Sequence, residues 1–291
     1  MPFWNRRQQP EDQRTAPETT VAPFSPEVVR FHSADGVPIA CYRSGSGPAL
    51  VAVHGTGADH AAWDSVTPLL ARHFTVYVMD RRGRGGSGDT PEYSMEREIT
   101  DVVAVVDGIG QPVHLYGHSS GAMFAVEAAM RTPHLASLVL YEGGPKPPGF
   151  IIVPDEFISQ LEALIEQGKR EEAMNLVMPR AAGVTPQELD LMRRTPAWAA
   201  RVAAAHTIPR ELRAINAYGA DLNRFGTLSL PTLLLVGERT DARRREMFLA
   251  LNGVIQGSRM RELAGQGHAA HQTAPELLAA AITEFLSAVA I

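Results

Sequence analysis

From position 28 onward, short apolar runs rich in β-branched residues alternate with longer stretches in which apolar residues recur every three or four positions. The longer stretches have the period of amphipathic helices. The short runs are nearly continuous in apolar character, as strands covered on both faces are. Alternation of the two predicts an α/β fold, a mostly parallel, doubly wound sheet joined by crossover helices. Eight strands are expected, over residues 28–32, 38–42, 49–53, 74–79, 112–116, 138–141, 232–236 and 259–263. The first two flank Ala34-Asp35-Gly36, and Asp-Gly favours the left-handed turn of a hairpin, so that pair is expected to be antiparallel. Helices are predicted over residues 61–72, 94–109, 121–131, 243–254 and 274–289.

One interval is too long for a simple crossover. Between the sixth and seventh strands, residues 145–229 read as helix throughout. Phe157, Leu161, Leu164 and Ile165 form one apolar stripe, Met174, Val177 and Met178 another, and Pro179, Pro186, Pro196 and Pro209 punctuate the pattern. The expected organisation is a leader without regular structure over residues 1–26, a core built from residues 27–144 and 230–291, and a helical cap over residues 145–229.

Composition narrows the classes. The chain has 291 residues, 45% of them hydrophobic and 20% charged, which suits a globular protein and excludes disordered and collagenous classes. With 27 basic and 32 acidic residues the formal charge is −5, so no nucleic-acid or anionic-membrane partner is expected. No window approaches the roughly 20 apolar residues of a membrane helix, and a cytoplasmic location is the expectation. The single cysteine, Cys41, has no disulfide or zinc partner and reads as a small buried residue.

The chemistry concentrates in two glycine-rich segments. The fifth strand runs into Gly117-His118-Ser119-Ser120-Gly121 and then into an alanine-rich helix. Gly-x-Ser-x-Gly in that context puts a serine on a tight strand-to-helix bend, where small flanking residues avoid collisions. The amide of Ser120 opens the helix and can face a developing oxyanion. The third strand ends in His54-Gly55-Thr56-Gly57, whose glycines let the Thr56 amide serve as a second oxyanion donor, with His54 bracing the loop.

In this order, the segments resemble the α/β-hydrolase superfamily, and the resemblance extends from Val28 to the C-terminus. It rests also on Asp80-Arg81-Arg82-Gly83-Arg84-Gly85, Leu138-Val139-Leu140-Tyr141-Glu142 and Gly265-Gln266-Gly267-His268. The resemblance implies a catalytic triad of Ser119, His268 and a carboxylate. Members usually carry aspartate three residues after the glycine closing strand seven; here that position is Thr240, and the carboxylate is Asp241. Some relatives place the acid after strand six, where this chain has Glu142. Glu142 is favoured, Asp241 is the alternative and Glu238 a third choice. His32, His60, His73, His134 and His206 lack a matching context and read as surface or packing residues.

Gly83-Arg84-Gly85-Gly86-Ser87-Gly88 fits dinucleotide-site spacing, but Asp89, Thr90 and Pro91 separate it from the next helix, so it reads as a structural loop with hydrogen-bonded arginines. No cofactor and no metal site are expected. Phe150, Ile151, Trp198 and Tyr218 are candidates to line a pocket. The expected activity is a cofactor-free serine hydrolase that cleaves a small-molecule carboxylic ester or related acyl compound through an acyl-enzyme. The same groups also suit C–C or lactone hydrolysis, perhydrolase or haloperoxidase chemistry, or a non-catalytic ligand receptor; the oligomeric state is left open.

Overall fold

The computed structural model describes residues 26–290. All but the last residue of the expected leader lies outside them. Eight strands form one sheet: β1 (Glu27–His32), β2 (Pro38–Ser44), β3 (Ala49–Val53), β4 (Thr75–Met79), β5 (Val113–His118), β6 (Leu135–Tyr141), β7 (Thr232–Gly237) and β8 (Arg259–Leu263). Their spatial order is β1-β2-β4-β3-β5-β6-β7-β8. β2 runs antiparallel to both neighbours, and every other neighbouring pair is parallel. The hairpin joining β1 to β2 turns at Gly36, where φ is 83°, a conformation glycine adopts without penalty.

Helices α1 (Thr67–Leu70), α2 (Met95–Gly108) and α3 (Ser120–Ala129) follow β3, β4 and β5. Between β6 and β7 lie α4 (Asp155–Glu166), α5 (Arg170–Ala182), α6 (Pro186–Arg193), α7 (Ala197–Ala204) and α8 (Ile208–Ala217). The chain closes with α9 (Ala242–Val254), α10 (Ala270–Thr273) and α11 (Pro275–Ser287). The helix expected over residues 61–72 is broken into a 3-10 turn, His60–Trp63, and the single turn of α1. Pro68 lies in the first turn of α1, and without an N–H it cannot continue a preceding helix.

Apolar residues divide into three clusters. Ile99, Val102, Phe124 and Phe248 bring α2, α3 and α9 onto one face of the sheet, while Leu70, Leu278 and Ile282 bring α1 and α11 onto the other. The helices between β6 and β7 close over a separate cluster that includes Phe157, Leu161, Met174, Val177 and Leu212. These are the stripes visible in the sequence, and each is satisfied mainly by its neighbouring helices. In the parallel part of the sheet, register aligns Val53 with Gly117, His118 with Tyr141, Tyr141 with Leu235, and Gly237 with Leu263. The C-terminal ends of five strands therefore meet at one edge, where an open α/β sheet forms its binding crevice.

Candidate active site

Ser119 sits between β5 and α3 with φ 57° and ψ −125°. Among the described residues only it and Glu142, at φ 53°, are non-glycine residues with positive φ. Each such position costs about 1–3 kcal/mol and persists only where its surroundings impose it. A Cβ at Gly121 would come within 2.3 Å of the Val53 carbonyl oxygen, and one at Gly117 within 2.6 Å of the Ala122 Cα. The two glycines thus let α3 start directly against the end of β3, which forces the bend at Ser119.

Ser120 opens α3, and Thr56 lies in the loop after β3. Among the described residues neither amide donates to a protein acceptor. Their side chains, by contrast, are held firmly. The Thr56 hydroxyl donates to Glu211 Oε1 at 3.0 Å, and the Ser120 hydroxyl reaches the same oxygen at 3.0 Å. Glu211, on α8, also receives Arg81 at 2.7 Å and Arg84 at 2.6 Å, and the two arginines share Glu98 at 2.7 and 3.1 Å. Burial alone would raise the Glu98 carboxyl, but Arg81 and Arg84 hold it down to about 2. The arginine-rich loop is a buried ionic cluster, and α2 begins only at Met95, behind its Ser94 cap. The sequence anticipated structural arginines but not that their partner would come from α8.

His268 lies in the loop between β8 and α10 and is 8% exposed. Its Nδ1 is 3.5 Å from Glu142 Oε2 and 3.4 Å from an Arg244 nitrogen. Glu142 Oε1 accepts the Gly237 amide at 2.8 Å and the Thr240 hydroxyl, while Oε2 lies 3.5 Å from both the imidazole Nδ1 and the Arg244 guanidinium. Burial lowers the His268 pKa below 6.5; Glu142 opposes that effect and the Arg244 guanidinium adds to it. Burial pushes the Glu142 carboxyl up, yet His268, Gly237 and Thr240 together bring it below its ordinary value. Asp241 is placed differently. Its carboxylate caps α9, accepting the Arg244 amide at 2.9 Å, and its side chain is 58% exposed. Glu238, the third choice, accepts the Gly265 amide at 2.6 Å.

Two residues fix the His268 loop and were not singled out from sequence. The His118 Nε2 donates to the His268 carbonyl at 2.9 Å; a carbonyl can only accept, so this nitrogen carries the proton. Tyr141 bonds the Gly267 carbonyl and accepts the Ala270 amide at 3.1 Å. His54 accepts the Arg81 amide at its Nε2, 3.2 Å away, and donates from Nδ1 to the Gly55 carbonyl at 2.8 Å, the bracing role expected of it. His114 is buried in β5 against the Ser137 hydroxyl at 2.8 Å.

A cavity of about 230 Å³ is lined by Thr56, Ser119, Ser120, Glu142, Asp241 and His268, so the candidate triad and both oxyanion residues border one cavity. Of the four aromatic and aliphatic candidates, Phe150 lines it and Ile151, Trp198 and Tyr218 do not. Ile151 points outward at 46% exposure, Trp198 is absorbed into the helical cluster with its indole on Glu171 at 3.0 Å, and Tyr218 bonds Glu127. Helical periodicity marks an apolar face without saying whether a neighbouring helix or a cavity covers it.

One grouping was missed. Asp59, His60 and Asp80 bring ligand-type atoms within 4.8 Å of one another. Their hydrogen bonds describe a brace: Asp80 accepts the amides of His60 at 2.8 Å and Gly86 at 2.7 Å, and Asp59 accepts that of Ala61 at 3.0 Å. Cys41 is buried, and burial raises its thiol pKa. Among the described residues no helix is long and apolar enough to cross a membrane.

A family model described as the alpha/beta hydrolase family matches residues 50–281. The crystal structure of an alpha/beta hydrolase from Sphaerobacter thermophilus is similar, with 35% identity and a TM-score of 0.77, over 89% of this chain and 100% of that one. Two curated relatives resemble shorter stretches. A pimeloyl-[acyl-carrier protein] methyl ester esterase of Methylococcus capsulatus is 38% identical over 35% of this chain and 40% of its own length. An N-formylmaleamate deformylase of Pseudomonas putida is 37% identical over 40% of this chain and 46% of its own length. The matches thus span less than half the length of these curated relatives.

Proposed function

This chain belongs to the alpha/beta hydrolase family, and from that premise we propose that it is a serine hydrolase cleaving a carboxylic ester or related acyl compound through an acyl-enzyme. The observation that carries the reading is the shared cavity. A serine at a strained bend, a buried imidazole and a carboxylate with one oxygen 3.5 Å from that imidazole all line it.

In this mechanism the Ser119 Oγ attacks the acyl carbonyl as His268 takes its proton. Glu142 holds the proton on Nδ1, leaving Nε2 as the base, and stabilises the imidazolium that forms. The amides of Thr56 and Ser120 receive the oxyanion, and the positive end of α3 favours the same charge. His268 then protonates the leaving oxygen, and the C–O bond breaks to leave an acyl-serine. Water, deprotonated by the same imidazole, attacks that ester and releases the acid and Ser119.

Esterase and deformylase names among the relatives fit acyl transfer to water. Turnover of a p-nitrophenyl ester series by the wild-type protein and by Ser119→Ala tests the reading. The expected result is measurable release of p-nitrophenol that falls by at least about 10³-fold in the variant; equal rates would contradict it.

A further inference from the structure

Arg201, on α7, is set apart from the other buried arginines. Arg81, Arg82 and Arg84 each meet a carboxylate at 2.6–2.7 Å. Arg201 is 4% exposed, and among the described residues no carboxylate lies within 4.0 Å of it. Its Nη1 donates to the Gly57 carbonyl at 3.2 Å, and its Nε is buried with no acceptor. Among the described residues its Nη2 donates to no protein group. Burial pulls its pKa down to about 10 and the nearby Asp59 pulls the other way, so it is still a cation at neutral pH. A guanidinium in such surroundings is costly unless an anion reaches it.

Arg201 contributes to the wall of the same cavity as Ser119. That wall also carries Arg180 from α5 and Arg243 and Arg244 from α9, against only two carboxylates, Glu142 and Asp241. Both carboxylates are engaged, Glu142 by His268, Gly237, Thr240 and the Arg244 guanidinium at 3.5 Å, and Asp241 by the first turn of α9 and the same guanidinium at 3.8 Å. Arg180 and Arg243 lie over the rings of Phe157 and Phe150, at 5.9 and 3.6 Å, rather than against acids. His54, His118 and His271 face Arg201 and are held neutral by burial, with the Arg201 charge adding to the effect. The cavity lining thus carries more cations than carboxylates, and among the described residues its most buried arginine, Arg201, has no ion-pair partner.

We propose that the substrate of this site carries a carboxylate in addition to its scissile acyl group, and that Arg201 binds that carboxylate. The proposal rests on the hydrolase reading for its location. The exposed arginines draw the anion to the mouth, and Arg201, beside the loop that carries Thr56, sets how the acyl carbonyl meets the oxyanion donors.

The test compares mono-p-nitrophenyl glutarate with p-nitrophenyl valerate, which match in chain length and differ in the terminal carboxylate. Wild-type kcat/KM is expected to favour the glutarate ester by about 10- to 100-fold. In Arg201→Met that ratio is expected to collapse towards one, and in Arg201→Lys to lie between. A wild-type ratio near one, or a ratio that Arg201→Met leaves intact while both rates fall, would overturn the proposal and leave Arg201 as a brace for Gly57. Calorimetric binding of free glutarate to Ser119→Ala protein separates the two readings. Arg201-dependent binding without turnover of any ester by the wild type would keep the anion site and remove the hydrolase. Ester turnover with no charge preference and no glutarate binding would do the reverse.

Discussion

The side chains of Glu211 and Ser120 meet at 3.0 Å, although 91 residues separate them in the chain and one lies on α8, between β6 and β7, while the other opens α3. The same carboxylate oxygen holds Thr56. Both residues whose amides serve as oxyanion donors in the proposed mechanism are therefore tied, through their side chains, to one buried acid that also neutralises Arg81 and Arg84.

Among the described residues, Glu211→Gln leaves Glu98 as the one acid paired with Arg81 and Arg84. Loss of one partner from a buried ion pair costs about 3–5 kcal/mol. Urea unfolding is expected to register a loss of that size. Ester hydrolysis by the folded fraction is expected to lose kcat more than KM, because the loosened groups act on the transition state.

Glu142→Gln is expected to lower kcat by about 10³- to 10⁴-fold, since a neutral amide neither fixes the imidazole tautomer nor stabilises its charge. Asp241→Asn keeps an N-capping side chain and is expected to change kcat less than about threefold. The two rate constants, measured on one p-nitrophenyl ester, decide between the acids. A larger loss in Asp241→Asn would move the triad to the loop after β7.

The base must be neutral to accept a proton, so kcat/KM is expected to rise with pH through the His268 pKa and then level off. Because burial and Arg244 lower that pKa, the midpoint is expected below 6.5. Arg244→Gln removes the nearby positive charge, 3.4 Å from Nδ1, and is expected to move the midpoint upward. A pH–rate profile of each protein reads the shift directly.

His54, His118 and His271 are held neutral by burial, with pKa values well below 6.5. In the unfolded chain they protonate near 6.5, so below that pH the unfolded state binds more protons and stability falls. Asp101, which burial raises to about 6 against the pull of Arg82, works in the opposite direction by one proton. His271 has an unpartnered Nδ1, so His271→Phe removes a titrating group without breaking a hydrogen bond at that nitrogen. Its urea-unfolding free energy is expected to fall less steeply from pH 6.5 to pH 5, by up to about 1.4 kcal/mol per pH unit.

Eight strands, the antiparallel first pair and the bend at Ser119 were legible because each is a local pattern: continuous apolar runs, Asp-Gly, and glycines at fixed distances from a serine. The acid was only half legible. Glu142 and Asp241 both follow strands that end at the same sheet edge, and nothing in the sequence says that Asp241 is spent on the first turn of α9. The ionic partner of the Arg81 loop was invisible because Glu211 lies 130 residues away on a helix whose orientation depends on packing. His118 adjoins Ser119 in the chain, yet its side chain bonds the His268 carbonyl, 150 residues away. Sequence spacing resolves which residues share an element and leaves open which elements meet.

The central claim is that Ser119 is a nucleophile activated by His268. Intact-mass spectrometry after exposure to a fluorophosphonate, followed by peptide mapping, tests it most directly. A single adduct on Ser119, with labelling slowed by several orders of magnitude in His268→Ala, is the expected result. Stoichiometric labelling at another residue, or labelling of Ser119 at the same rate without His268, would contradict it.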